Sequence, residues 1–272
     1  MLKPAAFASA FLLAAATLSF AADLPQRYAP PAPIAAPVFT WSGFYLGTST
    51  GGIALEGDVR TSGNAANTAA DILAARRPSS LALHDGESLL SSAQLGFNAQ
   101  FGSFVTGLEA DASLVDASAK AVYNPLNGPS VFRQDLDGLA TVRGRAGVAS
   151  HQVLVYGTVG AAIGTVRSRG AFLRSPDFAF EHIGSRRDTQ AGYVVGGGVE
   201  FVVPQALQQW ALLGRLLGAT NMTVKAEYLY FDLGSRDVTM AAVPGVGLNG
   251  FRSRFETSGH IGRIGFNYRF GT

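Results

Sequence analysis

No cysteine occurs among the 272 residues, so disulfides, thiolate metal sites, iron–sulfur clusters and thiol chemistry are excluded. Lysine is almost as scarce, at Lys3, Lys120 and Lys225 only. Charged residues are 15% of the chain, against about 25% in a typical soluble domain. A soluble enzyme would carry more surface charge. Disorder is excluded by the opposite argument, because 47% of the residues are hydrophobic. The net charge of +2 gives no reason to expect a nucleic-acid partner. His-Glu-x-x-His and phosphate-loop motifs are absent. Gly245-Val246-Gly247-Leu248-Asn249-Gly250 matches a dinucleotide fingerprint, but it precedes a strand pattern and not a helix, so the match is empty. Ser258 and His260 share one face, yet the spacing supplies neither an orienting acid nor an oxyanion hole. Neither an enzyme, a metal site nor a cofactor is expected.

Long apolar runs are also missing after the N-terminus. The best, Ala206 to Leu217, is too short to cross a bilayer as a helix. The N-terminal run from Ala5 to Leu18 follows Lys3 and ends at Ser19-Phe20-Ala21, which reads as a secretory signal over residues 1–22. Pro25, Pro30, Pro31, Pro33 and Pro37 make residues 23–40 an extended periplasmic leader. Residues 41–272 remain for the folded part.

What is present is alternation with period two. From Phe104, one face carries Leu108, Ala110, Ala112 and Leu114, and the other Val105, Glu109, Asp111 and Ser113. From Leu136, one face carries Leu136, Ala140, Val142, Ala146 and Val148, opposite Asp137, Thr141, Arg143 and Arg145. The pattern predicts strands near 41–55, 91–102, 104–116, 136–149, 152–167, 189–203, 222–234 and 255–270. Tight turns at Gly102-Ser103 and Ser150-His151 alternate with long polar stretches at 56–90, 117–135, 168–188 and 235–254. Short turns at one end and loops at the other describe an all-β, eight-stranded antiparallel up-and-down barrel.

Alternation alone leaves a soluble ligand-binding barrel open. Three observations favour a transmembrane barrel. The polar face is not the lysine- and glutamate-rich surface that water would require. Its charges balance, with Glu109, Asp111, Glu200 and Glu227 against Arg143, Arg145, Lys225 and Arg263, as a closed lumen needs. Aromatics gather at strand ends: Trp41, Phe44, Phe104, Phe266, Tyr268 and Phe270 near the short turns, Tyr228 and Tyr230 towards the loops. That distribution matches interfacial girdles.

Specific stretches then carry a resemblance. They are Trp41-Ser42-Gly43-Phe44-Tyr45-Leu46-Gly47, Gln94-Leu95-Gly96-Phe97-Asn98, Gly107-Leu108-Glu109-Ala110-Asp111, Thr141-Val142-Arg143-Gly144-Arg145-Ala146-Gly147 and Leu154-Val155-Tyr156-Gly157. Gly196-Gly197-Gly198-Val199-Glu200, Lys225-Ala226-Glu227-Tyr228-Leu229-Tyr230 and Ile264-Gly265-Phe266-Asn267-Tyr268-Arg269-Phe270 follow in order. The chain resembles the alphaproteobacterial outer-membrane immunogenic protein family, the porin-family β-barrel surface antigens. The resemblance implies a small monomeric barrel of the cell outer membrane, abundant at the surface, contributing to envelope integrity and recognised by hosts. Some relatives are described as haem-binding, others as weak porins. Two departures stand out. Phe270 is followed by Gly271-Thr272, where the family usually ends on the aromatic that the barrel-assembly machinery reads. Residues 204–221 are long, and Leu207, Trp210, Leu213, Leu216 and Leu217 form an apolar helical stripe.

The expected function is therefore structural: a charge-paired, closed lumen, with a diffusion pore and a loop-based surface or haem receptor as alternatives. Arg167, Arg169, Arg174, Arg186 and Arg187, interleaved with Phe172, Phe178 and Phe180, are the extracellular-loop candidates for anionic lipid and lipopolysaccharide. Loop residues His84 and His182 are the haem-ligand candidates. Other partners expected are the assembly machinery during insertion and host or cell-surface ligands.

Overall fold

The computed structural model describes residues 39–204, 221–247 and 249–270. The signal assigned to 1–22, the leader up to residue 38, the helical stripe within 205–220 and Gly271-Thr272 lie outside the described residues. The strands are β1 (Gly43–Gly63), β2 (Ser80–Phe101), β3 (Phe104–Tyr123), β4 (Ser130–Ala149), β5 (Val153–Leu173), β6 (Phe180–Val202), β7 (Asn221–Ala242) and β8 (Phe251–Phe270). A short helix, α1 (Ala66–Leu73), lies between β1 and β2. Each strand pairs antiparallel with its neighbour in sequence, and β8 closes on β1 from Phe44↔Phe270 to Gly63↔Phe251. Closure leaves no edge strand among the described residues, although the β2–β3 and β6–β7 registers are interrupted at His84/Leu90 and Ile183/Tyr193. At the tight β2–β3 turn Gly102 takes φ +62°, a conformation that favours glycine.

The strands are longer than the alternation suggested. The stretches 56–90, 117–135, 168–188 and 235–254, expected as loops, are mostly sheet, and only 64–79, 124–129, 174–179 and 243–250 connect strands at that end. Strands of about 20 residues, rising ~3.3 Å each at a ~40° tilt, span roughly 50 Å, twice the ~25 Å apolar band of a membrane barrel. Polarity inverts part-way up. In the lower half the outer face is apolar and the inner face charged. In the upper half the inner face holds Val59, Leu83, Ala119, Phe132, Val166, Val238 and Phe255, while arginines and aspartates face outward. A polar outer face looks like a loop in sequence, although the period of two persists.

Register shifts mark the change-over. They fall at Leu55/Gly57 in β1, Leu114/Ala117 in β3, Leu136/Gly138 in β4 and Asp232/Ser235 in β7, each near the twelfth residue from the strand's lower end. Bulges add twist and re-aim side chains. The one in β4 corrects the assignment around Leu136. Leu136 is inside and fully buried, Asp137 faces out, and Thr141, Arg143 and Arg145 still face in.

Candidate functional site

The lower lumen is filled by one ionic network. Arg143 lies at its centre, with no side-chain exposure. Its Nη2 donates to Glu109 and, at 2.8 Å, to Asp111, while Nη1 donates to Glu227 at 3.0 Å. Lys225 Nζ donates to Glu109 at 2.9 Å and lies 3.6 Å from Glu227. Arg263 donates to Glu227 at 2.7 Å and to Asp111 at 3.1 Å. Arg145 donates to Glu200 at 2.9 Å. All eight charged residues singled out in the sequence thus converge, from β3, β4, β6, β7 and β8. The reason is local: each occupies the inward parity of its strand in the lower half.

The sequence reading missed several members. Arg269 lies 3.5 Å from Glu200, making five cations against four carboxylates, and its guanidinium also donates to the Trp41 carbonyl. Tyr45 accepts from Arg145 at 3.0 Å and donates to Glu109 at 2.8 Å, which joins the two halves of the network. Tyr156 donates to Glu227 at 3.1 Å, under the Arg145 guanidinium 3.8 Å from its ring centroid. Inward glycines make room for these side chains. A Cβ on Gly96 would lie 2.3 Å from the Tyr45 ring. Parity would have found Tyr45 and Arg269, because both lie in register with named lumen residues.

Described residues pack at both mouths. Trp41 was expected in the lower girdle but is 1% exposed, packed inside the lower mouth against Val105, Ala149, Leu154 and Tyr156. The chain enters β1 by crossing that mouth, so its Trp41 amide donates to Gln100 at 2.8 Å and its ring lies under Arg269. The other girdle residues, Phe44, Phe104, Tyr228, Tyr230, Phe266, Tyr268 and Phe270, face outward. At the upper mouth Arg77 is buried, donating to Glu181 at 2.6 Å and to the carbonyls of Gly128 and Leu173. It ties the segment after α1 across the barrel, above a cluster of Phe132, Phe172, Phe251 and His182.

The loop candidates are relocated. Arg167 and Arg169 belong to β5, and Arg186 and Arg187 to β6; only Arg174 lies in a turn, paired with Asp177 at 2.6 Å. These stretches stay in the sheet because Phe172 and its neighbours have an apolar interior to fill. His84 faces outward on β2 and His182 faces inward on β6, so the two do not converge. His260 meets an acid that the spacing did not supply, with Nε2 3.7 Å from Glu56, but the Tyr228 hydroxyl occupies Nδ1 at 2.6 Å. On the upper outer face, hydrogen bonds from Arg254 and Arg186 hold the Asp237 and Asp188 carboxyls below their ordinary range.

No family model matches the chain. It is 30% identical over 272 residues to the 31 kDa outer-membrane immunogenic protein of Brucella melitensis, covering 94% of this chain and 95% of that one. It is 33% identical over 146 residues to the 22 kDa outer membrane protein of Rhizobium leguminosarum, covering 52% and 51%. Among solved structures, the outer membrane protein OprG from Pseudomonas aeruginosa aligns with a TM-score of 0.54 at 11% identity, over 85% of this chain and 97% of that one. That likeness is one of fold.

Proposed function

The chain belongs to the outer-membrane immunogenic protein family, and from that premise we propose that this outer-membrane β-barrel surface protein is a structural element of the envelope with a closed lumen. The observation that carries the reading is the filling of the interior along its length. Trp41 covers the lower mouth, the ionic network fills the membrane half, an apolar core fills the upper half, and Arg77 straps the upper mouth. An eight-stranded barrel has an interior just wide enough for side chains. A diffusion pore would need a hydrated path past both layers, and the apolar upper core argues against one.

The remaining partners follow from position. The outward aromatics of β8, Phe266, Tyr268 and Phe270, suit reading by the assembly machinery. Host or cell-surface ligands would meet the four upper connections and the charged outer wall below them. The test is a strain lacking this protein. Raised sensitivity to detergent and large antibiotics, with unchanged uptake of small sugars and amino acids, supports a structural role. Unchanged sensitivity with slowed solute uptake overturns it.

A further inference from the structure

The upper outer wall contains a run of basic side chains that folding does not explain. Lys120, Arg133 and Arg169 lie directly opposite one another across β3, β4 and β5, and His84 of β2 stands opposite Lys120 at the end of the row. Two residues lower on β5, Arg167 lies opposite Arg187 of β6. Like charges directly opposite in a sheet destabilise it. Among the described residues, the acids near these rows are fewer than the cations, with Glu87 exposed on β2 and Asp135 directly opposite Arg167. Asp135 is shared by Arg133 at 2.7 Å and Arg169 at 3.6 Å, Asp137 holds Arg187 at 2.9 Å, and Asp116 is exposed lower on β3. Lys120 lies between His84 and Arg133, and Arg167 lies between Asp135 and Arg187, with no ion pair to either among the described residues. The wall of β7, β8 and β1 differs, because Arg60, Arg252 and Arg254 each have a carboxylate within 3.8 Å.

The same strands are hollowed on their lipid-facing side below these rows. Ala93, Ala112 and Ala140 form one cross-strand row and Ala110 lies beside them, with Leu95, Val142 and Ile163 as walls. The concavity has a volume of about 440 Å³. From the top of the apolar band, at Leu114 and Ile163, the cationic rows are four to six residues higher, roughly 10–15 Å along the barrel axis. An apolar groove at acyl depth beneath a surplus of cations at headgroup height fits one amphipathic ligand.

We infer that the β2–β5 wall binds a phosphorylated glycolipid of the outer leaflet, its acyl chains against the alanine groove and its anionic sugars on Lys120, Arg167 and Arg169. This rests on the surface-protein reading above and gives the lipopolysaccharide expected of the loop arginines a defined site on the sheet wall. Arginine forks match phosphate geometry, and a bound anion offsets the repulsion between neighbouring cations.

The test titrates the lipid-stripped, full mature protein in nonionic detergent with purified lipopolysaccharide carrying a phosphorylated core. The double variant K120Q/R167Q removes two charges without breaking an ion pair. R60Q/R252Q removes two from the opposite wall, and A140L fills the groove. Heat-modifiable gel migration shows that each variant is folded. K120Q/R167Q should bind roughly tenfold more weakly, A140L should also bind more weakly, and R60Q/R252Q should change affinity by less than about twofold. Dephosphorylated lipopolysaccharide should abolish the difference between K120Q/R167Q and the parent. Equal losses in the two double variants, or equally tight binding of phosphatidylglycerol, would overturn the assignment. A conducting barrel would leave it untouched, so the two readings fail separately.

Discussion

Replacing Arg143 by alanine separates a dry lumen from a wet one. Its guanidinium contacts Glu109, Asp111 and Glu227, and none of these side chains is more than 2% exposed. Removal leaves Lys225 and Arg263 as the main cations for those three carboxylates, with Arg145 3.6 Å from Glu109. Breaking a buried pair by deleting one partner costs about 3–5 kcal/mol. If water filled the lumen, the same pairs would behave as exposed ones and the loss would be about 0–1 kcal/mol. With a urea m-value of ~2–3 kcal/mol/M, the dry case lowers the unfolding midpoint by roughly 1–2.5 M. The assay is the loss of the fast-migrating folded band, with tryptophan fluorescence, across a urea series in a fixed detergent. Arg143→Met with Glu109→Gln should recover part of the loss, because it removes one charge of each sign. Midpoints of Arg143→Ala and parent that agree within about 0.3 M would refute the packed-network reasoning.

Three other perturbations follow from the ends and the outer wall. Trp41→Ala should cost about 3–5 kcal/mol by uncorking the lower mouth, read in the same urea series; a shift below about 1 kcal/mol would mean that the ring is not packed there. Arg77→Ala should cost about 1.5–3 kcal/mol locally, seen as faster protease cleavage within 64–79 while the membrane half stays intact. The Asp237 carboxyl lies below its ordinary value of 3.8 because Arg254 hydrogen-bonds to it. Its contribution is therefore complete above that value and lost as pH falls through the lowered one. Amide protection in β7 above Ser235 should hold from neutral pH down to about 4 and fall below it, and Asp237→Asn should remove that step.

The membrane half was legible in the sequence because lipid and lumen impose opposite demands on alternate residues. Glu109 and Arg143 could be assigned to one interior from parity alone, and the structure places them in contact. The upper half was not legible, since water outside and an apolar core inside reverse the pattern. Phe172 and Arg169 then read as loop, although Phe172 is fully buried. Parity also fails at a bulge, which is why Leu136 and Asp137 exchanged faces. Trp41 misled for a third reason. An aromatic at a strand end suits a girdle or a cork equally well, and only the path of the chain across the mouth decides.

The most direct test of the closed lumen is single-channel current from the refolded mature protein in a planar bilayer, with gel migration as the folding control. The account expects a folded barrel that passes no resolvable current, and silence should persist in Lys120→Gln/Arg167→Gln, whose changes lie on the outer wall. Steady, reproducible conductance steps from the folded parent would contradict it, because ions would then be crossing both the ionic network and the apolar layer above it.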